Sequence, residues 1–158
     1  MSNHQNNNLT LELKTKILLE CKRIINEKIT SLNAALNDVT EASNTESKSS
    51  AGDKHETSKA MMHIEQEKLS KQLSEIKTQK NELEKVNLNT SKTIIGPGSL
   101  VETNNGMFFI GVSIGKIKMD GQEIFVVSPQ SPIGIKLMGL QEKSFTLNST
   151  LYTIHSVL

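Results

Sequence analysis

The chain has 158 residues, and its 18 Lys and Arg against 17 Asp and Glu leave a formal net charge of +1. This balance excludes a broad basic field for holding duplex nucleic acid, so we expect no sequence-specific DNA binding. The single cysteine, Cys21, excludes an intramolecular disulfide and a zinc site built on several thiolates. No window approaches the roughly 20 apolar residues that span a bilayer, so we expect a cytoplasmic protein without a membrane partner.

Aromatic residues are confined to the last part of the chain. All five follow Lys92: Phe108, Phe109, Phe125, Phe145 and Tyr152. A segment of about ninety residues without a ring is poorly suited to a globular core and better suited to a thin helical hairpin. We therefore predict a helical domain over 1–91 and a second domain over 92–158.

Apolar residues recur at heptad spacing in two runs of the first domain. The first run is Leu11, Leu18, Ile25, Leu32 and Val39, with Cys21, Ile29 and Leu36 at intermediate positions. The second run is Met62, Leu69, Ile76 and Leu83, joined by Leu73 and Val86. Since neither stripe can be buried alone, the pattern predicts an antiparallel two-helix coiled-coil hairpin, with roughly thirty residues and about 45 Å per helix.

Small polar residues at 42–52 separate the two runs and are typical of a loop, which places the tip of the hairpin near 43–56. Ser50 or Asp53 is a candidate cap for the second helix, and Glu56 follows Asp53 at capping-box spacing. Acids in this position stabilise a helix N-terminus by roughly 0.5 to 1 kcal/mol, which is an ordinary structural role for both carboxylates.

The pattern changes to that of strands after the Gly-Pro-Gly at 96–98. Candidate strands cover 99–102, 107–114, 123–128, 144–147 and 151–157, with turn signals at 104–106 and 120–121. The segment 131–139 predicts a short helix, with Ser131 as its cap, Pro132 in its first turn and Gly139 at its end. The fold class is therefore α+β, with a small antiparallel sheet crossed by one short helix after the hairpin.

Two separated stretches resemble the bacterial Gre transcription elongation factors. Residues 52–57, Gly-Asp-Lys-His-Glu-Thr, are similar to the family's arm-tip motif, a Gly-Asp pair followed by an acid three positions after the Asp. Residues 131–134, Ser-Pro-Ile-Gly, continuing through 137–139, resemble the signature of the family's FKBP-like C-terminal domain. Lys54, Thr57 and Ala60 depart from the family's usual tip residues, and 128–130 looks like a small insertion.

The resemblance implies an arm that enters the secondary channel of RNA polymerase and brings Asp53 and Glu56 to the catalytic Mg²⁺ of that enzyme. These carboxylates would be metal ligands that help the polymerase to cleave backtracked transcripts, because two-metal hydrolysis uses a second hard cation held by carboxylate oxygens. The protein would then be a monomer that meets the RNA 3′ end only indirectly. It would hold no cofactor of its own and would not itself be an enzyme.

Further residues are candidate partner contacts. Lys48, Lys54 and Lys59 flank the tip and would contact RNA phosphates or the polymerase channel, with a solvated helix face as the alternative. In the second domain, the candidate partner-binding residues are those of the signature, Ser131, Pro132, Ile133 and Gly134.

Other functions are open at this point. The changes at Lys54 and Thr57 favour a polymerase-binding regulator that does not stimulate cleavage. An FKBP-like domain also suggests a prolyl isomerase, although its five aromatic residues leave few to line a pocket. His55 and His63 suggest a zinc site that lacks a third His or a Cys, and the same heptads suit a homodimeric coiled coil.

Overall fold

The computed structural model describes residues 9–46 and 52–158, with the backbone alone described at 46 and 52–55. The fold is α+β, with two long N-terminal helices packed together and then a six-stranded, mostly antiparallel sheet. Contacts group the described residues into two compact units, one formed by 9–21 with 82–158 and the other by 22–81. No helix in these ranges is long and apolar enough to cross a membrane. The domain limits 1–91 and 92–158 stay a prediction.

The two long helices are α1, Leu11–Glu46, with 36 residues, and α2, Gly52–Glu84, with 33 residues. Thr10 caps α1, because its Oγ1 accepts a hydrogen bond from the backbone amide of Leu13 at 3.0 Å. Helices of this length in an aliphatic, ring-free segment are stabilised mainly by packing of one apolar face, as the heptads predict.

Within the 22–81 unit the helices run antiparallel. A groove is lined by Ile24 and Leu32 of α1 and by Gln72 and Ile76 of α2, so the early part of α1 faces the late part of α2. Further along, Thr40 Oγ1 accepts a hydrogen bond from the side-chain amide of Gln66 at 3.3 Å. The predicted seam is largely confirmed, with Ile25, Leu69 and Leu73 buried and Leu32, Leu36, Val39, Met62 and Ile76 half-buried.

Two details of the hairpin prediction were wrong. Leu11 was placed in the seam but is 53% exposed, and the buried residues of the first turns are Leu13 and Ile17 instead. The segment 42–52 was predicted as a loop, but α1 continues to Glu46 and α2 already begins at Gly52. Extending an existing helix by one residue adds one hydrogen bond without a new nucleation cost, so poor helix formers at 42–46 are tolerated.

The sheet has six strands in the order β3-β4-β2-β1-β6-β5. Their bounds are β1 Leu100–Thr103, β2 Gly106–Ile110, β3 Gly115–Met119, β4 Gln122–Val127, β5 Ser144–Leu147 and β6 Thr150–Val157. A wholly antiparallel sheet was predicted, but β2 and β4 pair in parallel, with Phe108 opposite Phe125. The parallel pair arises because β3 returns along the outer edge of β4 and not along β2.

Strand β3 is absent from the sequence prediction, which extended the preceding strand over 107–114. The structure ends β2 at Ile110 and starts a new strand at Gly115. Only Ile117 of β3 is buried, and Lys116 and Lys118 on either side of it are exposed. Such a lysine-rich edge strand has little of the apolar signal on which strand prediction relies.

The predicted turn at 120–121 is confirmed as a tight hairpin between β3 and β4. Asp120 and Gly121 both have positive φ, 51° and 77°, which is the conformation that a two-residue type I′ turn requires. Asn148 and Ser149, with φ of 50° and 63°, make an equivalent turn between β5 and β6.

A short helix, α3, Pro132–Leu137, covers one side of a core that includes most of the aromatic rings. Buried Ile95, Val101, Phe108, Ile110 and Leu137 form the centre of this core. Phe108 stacks on Phe125 with ring centroids 5.5 Å apart, and Phe145 stacks on Tyr152 at 4.9 Å. Four of the five rings therefore pack in this core, and the fifth, Phe109, is fully buried as well.

Cys21 lies fully buried in α1, which confirms its predicted place in the helix packing. Burial raises the pKa of its thiol to about 12, with a smaller contribution from the charge of Glu20. Since only the thiolate reacts with alkylating reagents, the folded protein exposes almost no reactive form of this residue.

We expect alkylation of native Cys21 at pH 8 to be at least about 1,000-fold slower than in the urea-unfolded chain, from the thiolate fractions at a pKa of about 12 and at the ordinary value of 9.0. The measurement is time-resolved mass spectrometry of iodoacetamide labelling. A Cys21→Ala/Ser70→Cys variant, whose thiol replaces an exposed side chain, should label rapidly in both states. Equal rates for Cys21 in the two states would contradict its burial.

Candidate functional site

The predicted tip residues lie at the start of α2. Because α2 begins at Gly52, Asp53 lies in its first turn and not at the cap position for which it was one of two candidates. Ser50, the other candidate cap, lies outside the described residues, as does Lys48. For Asp53 and Lys54 the structure describes the backbone alone. The helical backbone from Gly52 onward places Asp53 and Glu56 three residues apart on one helix, which is the spacing of neighbours on a helix surface.

Glu56 is an exposed side chain at the edge of a shallow groove between the two helices. The groove has a volume of about 540 Å³ and is lined by Glu56, Lys59, Ala60 and His63 of α2, with Ser43 of α1 and Gln66 of α2 at its end. The structure thus brings two predicted residues, Glu56 and Lys59, into one site. It adds Ser43, which the sequence placed in a loop.

The charges around the groove alternate along α2. His63 Nε2 lies 3.2 Å from Glu67 Oε1, four residues along the helix, and both side chains are about 70% exposed. Such exposed pairs contribute little to stability, so Glu56, Lys59, His63 and Glu67 are accessible polar groups and not packing elements. An exposed carboxylate retains its hydration and can exchange water for a metal or a protein donor at low cost.

The zinc hypothesis for His55 and His63 finds no third ligand in the structure. Among the side chains that the structure describes, no group of three His, Cys, Asp or Glu residues is arranged to hold a metal ion. His63 has Glu67 as its neighbour, and the side chain of His55 lies outside the described part of the chain.

The second predicted site, 131–134, has a clear structural role. Ser131 Oγ accepts a hydrogen bond from the amide of Gly134 at 3.0 Å and donates one to the carbonyl of Ser128 at 2.7 Å. Pro132 occupies the first turn of α3, where its missing N–H has no cost, so the predicted capping is confirmed. Gly139, with a φ of 72°, follows the helix end as predicted.

Gly134 has a steric reason to be glycine. A Cβ built on it would lie 2.0 Å from the carbonyl oxygen of Ser128 and 2.8 Å from Ser131 Oγ. Ile133 packs against the aromatic core, whereas Pro132 is exposed. The motif therefore forms the helix cap, and Pro132 is its one exposed residue.

Sequence analysis missed one residue with an unusual environment, Lys14. Its side chain is 1% exposed, and its ammonium donates to the carbonyl of Leu88 and to Thr90 Oγ1, both at 2.7 Å. A signal was present, because Lys14 precedes Cys21 by seven residues and so continues the apolar stripe of α1.

Comparisons with known proteins found no match for this chain, whether to protein-family models, to curated proteins or to solved structures.

We expect Gly134→Ala to lower the free energy of unfolding by about 2 kcal/mol, since the added methyl group forces the Ser128 carbonyl away and disrupts the Ser131 cap. Urea unfolding followed by circular dichroism measures the change. Gly96→Ala is the matched control, because a Cβ there has no atom within 4 Å and should cost far less. Equal losses in the two variants would show that the close approach at Gly134 has no energetic weight.

Proposed function

We propose that this protein is a Gre-type transcription elongation factor. In this proposal the helical hairpin enters the secondary channel of RNA polymerase, and the sheet domain, FKBP-like in type, contributes to binding the enzyme. Asp53 and Glu56 act there as ligands for the polymerase's catalytic Mg²⁺ and stimulate cleavage of backtracked transcripts. In this proposal the protein lends metal ligands, and the polymerase performs the chemistry.

The observation that carries the proposal is an exposed carboxylate, Glu56, that follows Asp53 by one helical turn at the turn end of a long antiparallel helix pair. Glu56 is exposed beside an open groove, and Asp53 lies one turn earlier on the same helix. Mg²⁺ prefers carboxylate oxygens and retains several waters, so two protein ligands suffice when another protein provides the rest. The sheet domain that follows, with its Ser131-capped helix, supports the proposal because it has the position along the chain that the resemblance implies.

Stalled, backtracked elongation complexes provide the direct test. With Mg²⁺ and the wild-type protein we expect release of short RNA 3′ fragments, and Asp53→Asn/Glu56→Gln should reduce the rate by at least about tenfold while binding persists. Loss of a metal-ligand pair removes transition-state charge stabilisation without changing the fold.

The chain offers a matched control in Asp38 and Glu41, an acid pair at the same spacing on α1 with both side chains exposed. Asp38→Asn/Glu41→Gln should leave RNA release unchanged. Release that survives loss of Asp53 and Glu56, or that falls equally in the control, would remove the tip carboxylates from the mechanism.

A second candidate is a polymerase-binding regulator without cleavage activity. Lys59 lines the same groove as Glu56, and in this candidate function its ammonium competes with Mg²⁺ for the carboxylate. The sequence changes at Lys54 and Thr57 point in the same direction.

This regulator would displace an authentic cleavage factor from polymerase and suppress RNA trimming in a dose-dependent way. We expect a Lys59→Gln variant to gain trimming activity if the cation is the inhibitory feature. Binding is measured in parallel by co-sedimentation with polymerase. Trimming by the wild-type protein at stoichiometric amounts excludes this second candidate.

A further inference from the structure

The two edges of the sheet differ in charge. In the described sheet, β5 is the last strand in the order and pairs with β6 alone. Its residues are Ser-Phe-Thr-Leu, so it has no charged side chain. The strand at the other edge, β3, has the exposed lysines Lys116 and Lys118. Because lysines on an edge strand oppose pairing with a further strand, the β5 edge accepts one more readily than the β3 edge.

The hydrogen bonds of β6 show which backbone groups of β5 point toward the free edge. The amide of Ile154 donates to the carbonyl of Lys143 at 2.7 Å. Antiparallel partners alternate between bonded and non-bonded pairs, so Ser144 and Thr146 point away from β6. Thr153, which lies opposite Ser144, agrees with this alternation, since its amide and carbonyl bond to the β1–β2 turn on the far side of β6.

The core is incompletely covered at the same edge. Phe145 stacks on Tyr152 and packs against the core, but it is only half-buried. The helix α3, which contacts β5, also has two exposed apolar side chains, Ile135 at 64% and Met138 at 37%. A strand added along β5 would therefore cover part of an aromatic side chain as well as pairing with backbone groups.

A second copy of β5 is complementary to this edge. Two antiparallel copies centred on Phe145 place Ser144 of each copy opposite Thr146 of the other, so outward amides meet outward carbonyls. Phe145 then meets its own counterpart at the two-fold axis, where aromatic cross-strand pairs are favourable. The nearest charged residues, Glu142 and Lys143, lie at opposite ends of the paired strands in the two copies, so like charges do not meet.

We propose that this chain forms a two-fold dimer through β5, with a second copy as the partner. Pairing at β5 leaves the lysines of β3 at both outer edges of the combined sheet, so the assembly closes at two copies. A four-residue strand buries less than the roughly 800 Å² per partner of a standard interface, so we expect a weak dimer. The inference does not rest on the polymerase-directed function, and it departs from the implied monomer at high protein concentration.

Sedimentation equilibrium of the full chain tests the dimer. Between about 10 μM and about 1 mM we expect a reversible monomer–dimer equilibrium without larger species. Thr146→Lys gives β5 an edge lysine like those of β3, and it should raise the dissociation constant at least about tenfold. Ser113→Lys is the control, because it places the same charge on an exposed residue between β2 and β3, in the other half of the sheet. It should leave the dissociation constant unchanged.

A chain that stays monomeric at about 1 mM overturns the proposal. A dimer of equal affinity in Thr146→Lys overturns it as well, because an association through the helix seam would not depend on this residue. Circular dichroism establishes that the variant is folded. If Thr146→Lys does not fold, the cross-linking experiment below decides.

Mixing two single-cysteine variants in a Cys21→Ala background tests the register. Ser144→Cys and Thr146→Cys each replace an exposed side chain. Bonded antiparallel partners have Cα atoms about 5.5 Å apart, which is within reach of a disulfide. At equal total protein, mild oxidation of the mixture should give at least about fivefold more cross-linked dimer than either variant alone. A mixture that yields no more than the separate variants overturns the pairing of β5 with β5.

Discussion

Mutual burial of two aliphatic stripes is the constraint on which the rest of the hairpin depends. Neither long helix contains an aromatic residue, so each relies on many small contacts with the other. The burial is uneven along α1. Ile17, Cys21 and Ile25 are fully buried, whereas Leu32, Leu36 and Val39 are only half-buried. Local opening is therefore easiest toward the turn end, where the candidate carboxylates lie.

The decrease in burial toward the turn end suits a site whose side chains must be accessible to another molecule. Glu56, Lys59, His63 and Glu67 are accessible groups on a helix whose own seam residues, Leu69 and Leu73, are buried further along the chain. The backbone thus holds the side chains at helical spacing while the polar groups keep their hydration. In the proposed function, a carboxylate in this setting enters the polymerase's metal site without first breaking a strong internal contact.

The sequence predicted the elements whose signal is local. Heptads located both helices, Asp120-Gly121 located a hairpin turn, and Ser131-Pro132 located the start of α3. The sequence prediction failed where the extent of an element does not follow from its local sequence. Helix continues through 42–46 because elongation is cheap, and β3 pairs with β4 although only Ile117 is buried. The Asp-Gly turn itself implied a strand before it, but the largely apolar segment 107–114 was predicted as one strand and drew the prediction away from 115–119.

For the candidate site, sequence located Glu56 and Lys59 but not the groove, since Ser43 joins it only because α1 extends further than its composition suggests. Lys14 was missed for the opposite reason. A lysine at a heptad position is ordinarily a surface residue, and only the path of the chain at Leu88 and Thr90 turns it into a buried donor.

The edge of the sheet that β3 forms affects how readily the protein aggregates at high concentration. Strand β3 has only five residues, and its exposed lysines, Lys116 and Lys118, stand beside backbone groups that face no further strand of the described sheet. The Nζ of Lys116 also lies 3.3 Å from Oε1 of Glu123 on β4, so this ammonium stays close to the neighbouring strand. A strand from another molecule could add here only by desolvating those ammonium groups. The exposed lysines that made β3 difficult to predict from the sequence are thus the residues that oppose edge-to-edge aggregation.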